Sequence, residues 1–303
     1  MIFSYSFQGL TRRHVMFQGF SGFSVRGIFF NVLKTFSSNE ASNLHRRGTL
    51  SPYAVTPIIV DTFDGRHIVY ERLSAGVPFR FDVRVFEESL GTALKEFIFS
   101  SDVLNMRLQN AEFALRSVRV SSVNPSSILG SAKPHRRYDV SFLTPTFFRS
   151  TQQGPTLIRK LLPRRLRGTG RPTYRYVLLP DPYYMFRNLA RLYRRFGKPS
   201  FNYFSYCRWL LEGGVALETH YGLRVHKIYE ESGKWSRGFT GRATFTLPED
   251  TFDPKMAKIT HALLEFARYS NVGANRTAGF GVVDYRVLTS EAHVAHDTSS
   301  HTI

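Results

Sequence analysis

The chain is nearly devoid of cysteine: Cys207 stands alone among 303 residues. A single thiol excludes an internal disulfide framework and any cysteine-based zinc site. Long apolar runs are also missing, and none approaches the roughly 18 residues of a membrane span. The stretch MIFSYSFQGLTRRHVMFQGF has polar breaks and two arginines, so no secretory signal is readable. The expectation is a soluble, cytoplasmic protein without a membrane partner. Acidic residues are scarce: 23 Asp and Glu face 41 Lys and Arg, a formal charge of +18. Between Asp139 and Asp181 there is no acid at all. So lopsided a charge points to a polyanion, nucleic acid before an anionic surface; the alternative is a solvated basic surface. The histidines form no i,i+4 pair with a carboxylate, apart from a loose group at His293, His296 and Asp297, so no metal site is expected. No GxSxG elbow and no paired-carboxylate motif occurs.

What is present is ample apolar material, 42% of residues with 15% aromatic, enough for real cores. Three segments repeat at helical spacing. In FSVRGIFFNVLKTF the stripe is Val25, Ile28, Phe29, Val32, Leu33 and Phe36, with Phe30 on the flank between Arg26 and Lys34. In MFRNLARLYRRF, Met185, Leu189, Leu192, Tyr193 and Phe196 oppose Arg187, Arg191 and Arg194. In PKMAKITHALLEFARY the stripe is Met256, Ile259, Leu263, Leu264 and Ala267. Alternation predicts half-buried strands around 79–85, 215–226 and 239–247. A further helix is expected near 88–99 and a strand at 112–121. The element order appears twice, as two α+β domains would give, each an antiparallel sheet with helices on one face. Their boundaries fall at 1–130 and 131–288, joined by NPSSILGSAKPHRR (124–137), with an irregular tail at 289–303.

Three places invite chemistry. RKLLPRRLRGTGRPTYR reads as a basic loop for phosphate contact, or as a linker. NVGANRTAGFG (271–281) looks like a phosphate cradle, but a helix precedes it and a strand follows, the reverse of the dinucleotide fingerprint. No Lys-Ser/Thr pair follows Gly279, so it is not a P-loop either. It is a ligand-approaching loop with Arg276 for phosphate, or a tight turn between helix and sheet. His45, followed by Arg46 and Arg47, is placed for acid–base work on a phosphodiester or is a surface histidine.

Four stretches in order resemble the Cas6 family of CRISPR RNA-processing endoribonucleases, of the RAMP superfamily. VRGIFFNVLK is similar to its first helix, and LHRRGTLSPYAVTPI to its Leu-His segment and the strand after it. GFTGRATFTL and NVGANRTAGFGVV resemble its Gly-Phe-x-Gly strand and closing glycine-rich loop, the more specific pair. SFLTPTFFR fits more loosely. The resemblance implies two tandem ferredoxin-like (RRM-like) domains. It implies binding of CRISPR repeat RNA and one cofactor-free, metal-independent cut per repeat, in which the ribose 2′-OH attacks the adjacent phosphate. His45 takes the family's histidine role. The family's first-helix tyrosine falls at Phe30 and its lysine near Ser51, so a partner for His45 is sought among Lys34, Arg46, Arg47 and Tyr53. RNA contacts fall to Arg26, to Arg164, Arg165, Arg167 and Arg171, and to Gly273, Asn275, Arg276, Thr277, Gly279 and Gly281. The two departures leave open a non-catalytic repeat-binding subunit, one of several Cas proteins in an effector complex. Family members include monomers and homodimers.

Overall fold

The structure is a computed structural model that describes residues 1–17, 19–44, 50–63, 65–100, 107–108, 111–151, 174–230 and 233–289. The N-terminal strands are β1 (Ile2–Thr11), β2 (Val15–Met16), β3 (Tyr53–Val55), β4 (Ile59–Thr62), β5 (Gly65–Ile68), β6 (Arg72–Leu73), β7 (Pro78–Val85), β8 (Arg107–Leu108) and β9 (Ala111–Val123). Helices α1 (Gly22–Phe36), α2 (Ser38–Leu44) and α3 (Glu88–Phe99) accompany them. The sheet runs β5-β4-β7-β1-β9-β8, with β3 also paired to β7. Counting β1, β4, β7 and β9 with α1 and α3, the connectivity is βαββαβ and the spatial order β9-β1-β7-β4, a ferredoxin-like arrangement.

The pattern repeats downstream. A short α4 (Pro125–Ser131) leads into β10 (Arg137–Thr146), then the ribbon of β11 (Phe148–Thr151) and β12 (Tyr174–Val177). There follow α5 (Pro182–Phe196), α6 (Tyr203–Leu211), β13 (Ala216–Tyr229), β14 (Trp235–Thr246), α7 (Pro254–Ser270) and β15 (Val283–Val287). The sheet order is β13-β14-β10-β15, the same ferredoxin-like weave. The fold is thus α+β, two ferredoxin-like units in tandem with antiparallel sheets. Among the described residues no helix is long and apolar enough to cross a membrane.

The hydrophobic pattern explains why these elements form. In β7, Phe79, Phe81, Val83 and Val85 are buried while Arg80, Asp82 and Arg84 are only partly so, as alternation requires. They pack with Tyr5, Phe7, Val25, Phe29, Leu33, Leu90 and Leu94 into one core. On α5, Met185, Phe186, Leu189, Leu192 and Tyr193 are buried against Phe239, Phe245, Leu263 and Phe266 in a second. Asp181 and Asp253 start α5 and α7 by accepting backbone N–H bonds, from Tyr184 N at 2.9 Å and Lys255 N at 2.7 Å. Each is followed by proline at the first helical position.

The 124–137 joint carries local structure, and one expectation is corrected. Asn124 accepts from Ser126 N at 3.0 Å, Pro125 sits at the helix start, and Ile128 is buried, so a helical turn forms there. Strand β13 is not evenly half-buried: Tyr221, Val225 and Tyr229 are exposed. It is an edge strand, and register shifts after Leu217 and Tyr221 break the alternation that the sequence pattern suggests.

Candidate nucleic-acid interface

The glycine-rich loop closes α7 onto β15 and touches both ferredoxin-like units. Asn271, fully buried after α7, donates from Nδ2 to Val55 O at 2.8 Å and to Phe280 O at 3.1 Å. Its Oδ1 accepts from Arg84 Nη1 at 3.3 Å. One side chain therefore joins β3 and β7 of the first unit to the loop of the second. Phe280 seals the same junction, with its ring centroid 5.3 Å from that of Phe20 and 5.9 Å from that of Phe147.

Glycine is demanded by backbone proximity. Gly281 has φ +70°, and a Cβ there would lie 1.8 Å from Val272 O. Gly273 has φ +77°, and its Cβ would lie 2.4 Å from Phe147 O. Gly279, also at positive φ, lies against Pro57 and Gly22. These glycines let the loop run through the seam between the units.

Arg276 is only 6% exposed. It donates from Nη1 to Ser270 O at 2.8 Å and from Nη2 to Ser51 O at 3.0 Å. Its guanidinium thus braces the loop against the strand-leading segment of the first unit. Burial pushes its pKa down to about 10; Tyr53 acts upward and the neighbouring Arg191 acts downward again. It still carries its charge at neutral pH, and no carboxylate pairs with it among the described residues.

That charge backs onto a cavity of about 560 Å³ in the seam. Its walls include Leu50 and Ser51, Tyr184, Arg187, Asn188 and Arg191 of α5, Arg149, and loop residues 273–277. Among the described residues four arginines line it and no Asp or Glu does. The wall is built tightly: Gly273 N donates to Asn188 Oδ1 at 3.0 Å, and Arg149 Nη2 donates to Asn275 Oδ1 at 3.4 Å. Tyr184 and Ser150 hydroxyls share a 2.8 Å bond. A cleft lined by one sign of charge focuses its field on an anion.

The other sequence-predicted residues fall as follows. Tyr53 is buried, its ring 4.5 Å from Phe29 and 6.1 Å, edge-on, from Phe30. Burial pushes its phenol up to about 12, against the opposing pull of a hydrogen bond with Thr277 and the charges of Arg26 and Arg276. Arg26 lies 5.0 Å over the ring of Phe23. Lys34 is exposed on the last turn of α1. Gly273, Asn275, Arg276 and Thr277 come together on the cavity wall, while Gly279 and Gly281 support the loop behind it. His45, Arg46, Arg47, Arg164, Arg165, Arg167 and Arg171 lie outside the described residues, as does the tail beyond 289.

Sequence reasoning did not place Tyr184, Arg187, Asn188 and Arg191 in the site. The signal existed, since Arg187 and Arg191 share the polar face of α5 at i,i+4. That face alone reads as solvated, and only the fold turns it toward Ser51.

A second polar surface lies on the β13–β14 hairpin. Tyr229 pairs with Trp235 and Lys227 with Arg237. Lys227 Nζ sits 4.9 Å and 5.0 Å from the centroids of the two rings. Both rings are exposed, a stacking surface with cations beside it.

No curated protein sequence matches the chain. Among solved structures, a Thermus thermophilus Cas6 product complex superposes with a TM-score of 0.71 at 18% identity, covering 94% of this chain and all of that one. A second Cas6 product complex gives 0.66 at 22% identity, with the same coverages. A protein described as a RAMP protein binding different RNA substrates gives 0.56 at 12% identity, over 94% of this chain and 99% of that one. The model of the family described as CRISPR-associated endoribonuclease Cas6 matches residues 140–283, from β10 to the start of β15. The family match thus falls on the second unit, and the fold shared with solved Cas6 structures extends over nearly the whole chain.

Proposed function

We propose that the protein binds CRISPR repeat RNA and cleaves the precursor once per repeat, without a metal ion, as an endoribonuclease. One observation carries this reading: a cavity whose described lining has four arginines and no acid, at the seam of two ferredoxin-like units. It is bordered by Leu50 and Ser51, which closely follow His45 in the chain. A basic cavity of this size suits a phosphodiester, and the similar folds solved as Cas6 product complexes favour RNA as its source.

In the proposed reaction a base removes the 2′-OH proton. The 2′-oxygen bonds to phosphorus, the bond from phosphorus to the 5′-oxygen breaks, and an acid gives that oxygen a proton. The products are a 2′,3′-cyclic phosphate and a 5′-OH, so atoms and charge balance without a co-reactant. His45 supplies the base or the acid. Tyr53, with a phenol that holds its proton to about pH 12, suits donation and not abstraction. Lys34, Arg46 and Arg47 are the remaining candidates for partnering His45. Arg26, Asn275 and Thr277 take RNA near the cavity. Arg276, Gly273, Gly279 and Gly281 contribute by holding the loop in shape. Arg164, Arg165, Arg167 and Arg171 add phosphate contacts whose strength falls with salt.

The test is His45→Ala. Repeat cleavage is expected to vanish while binding is largely kept; cleavage at the wild-type rate overturns the assignment. The second reading, a non-catalytic repeat-binding subunit of an effector complex, draws on Phe30 and Ser51 standing where the resemblance implies tyrosine and lysine. Tight binding of repeat RNA that stays intact selects it.

A further inference from the structure

We infer that Arg191, on the polar face of α5, contacts the scissile phosphate and stabilises the charge that builds on it. The inference rests on the endoribonuclease reading and assigns its missing cation. Among the described residues no cation of the first unit lines the cavity: at the lysine's expected place stands Ser51, whose carbonyl is held by Arg276. The second unit faces that gap with α5.

The four cavity arginines are not equivalent. Arg276 is buried and hydrogen-bonded to Ser270 O and Ser51 O, so it shapes the wall. Arg149 lies 5.9 Å from the centroid of the Phe147 ring and reaches Asn275. Arg187 rests 5.5 Å from the centroid of the Tyr183 ring and hydrogen-bonds to Tyr203. Arg191 has no ion pair, ring contact or side-chain hydrogen bond to any described residue, and it is exposed on the cavity side of a rigid helix. It sits close enough to Arg276 for the two charges to repel.

An anion between them relieves that repulsion, and a guanidinium fork suits two phosphoryl oxygens. As the 2′-oxygen adds to phosphorus, charge on the non-bridging oxygens rises, and a positioned cation acts most strongly at that point. Placing the cation on the second unit also means that cleavage requires both ferredoxin-like units to be correctly apposed.

The experiment measures single-turnover cleavage of repeat RNA at saturating protein, beside affinity for the same RNA with a 2′-deoxy cleavage site. Arg191→Ala is expected to slow cleavage by about 100-fold or more, with affinity changed only a few-fold. Arg191→Lys recovers part of the rate, and added guanidinium ion restores measurable cleavage to Arg191→Ala, which a purely structural role would not allow. Unchanged saturating cleavage in Arg191→Ala overturns the inference, whether or not affinity falls. Wild-type protein that binds repeat RNA and never cuts it overturns the enzymatic reading and Arg191's role together. Wild-type cleavage with an equally fast Arg191→Ala removes Arg191 alone.

Discussion

At the scale of single residues, the junction depends on buried polar side chains with long-range partners. Asn271→Ala leaves the Val55 and Phe280 carbonyls without its amide. Unsatisfied buried groups of this kind cost about 1–3 kcal/mol, so denaturant unfolding should register a loss of about 2 kcal/mol; no loss would mean that water replaces the amide. A second residue-level prediction concerns acid. His135 and His261 face each other with ring centroids 4.8 Å apart, and His261 Nδ1 accepts from Lys133 N at 2.9 Å. Burial lowers both pKa values, with Lys133 adding to the effect at His135 and the His135 charge adding to it at His261. The unfolded chain therefore takes up protons first, and stability falls as pH drops below about 6.5. The Tm drop from about pH 7.5 to about pH 5 should be smaller in the His135→Gln/His261→Gln double variant. An identical drop would place the acid sensitivity elsewhere. Little of this was legible in the sequence. Arg276 stood out as a cation in a glycine-rich loop, but its acceptor on Ser51 lies 225 residues away, and only the fold brings the two together.

At the scale of elements, periodicity carried more. The stripes on α1, α5 and α7 and the alternation of β7 reappear as buried faces, because each element buries a single side; in β14 Thr244 is buried along with Ala243 and Phe245, so the alternation fails there. Strand β13 misled for the complementary reason: at a bulged edge, apolar residues at period two have no second layer to cover them. Its exposed Tyr229 lies opposite the exposed Trp235 of β14, a stacking surface for RNA under the proposed function. Trp235→Ala should weaken repeat binding by roughly tenfold or more, as loss of one base stack does, measured by titration with labelled RNA; unchanged affinity would remove the hairpin from the interface. The glycine loop gives the opposite kind of prediction. Gly281→Ala forces a Cβ against Val272 O at positive φ, so it should cost about 3 kcal/mol or more and lower the yield of folded protein. A variant as stable as the parent would show that the seam has room to relax.

At the scale of the whole molecule, the +18 charge and the repeated α+β order led from the sequence to a polyanion and two similar units. The structure adds the place where those two facts meet, a cavity on the seam with four arginines and no acid among its described lining residues. The seam was not readable because it is assembled from α5, the glycine loop and the segment at 50–51, none adjacent in the chain. The most direct test of the central claim is incubation of purified protein with its repeat RNA in excess chelator, followed by analysis of the RNA ends. The account predicts one cut per repeat, ending in a 2′,3′-cyclic phosphate and a 5′-OH, and none where the attacking ribose is 2′-deoxy. RNA that stays intact while tightly bound, or cleavage that needs a divalent ion and leaves a 5′-phosphate, would contradict it.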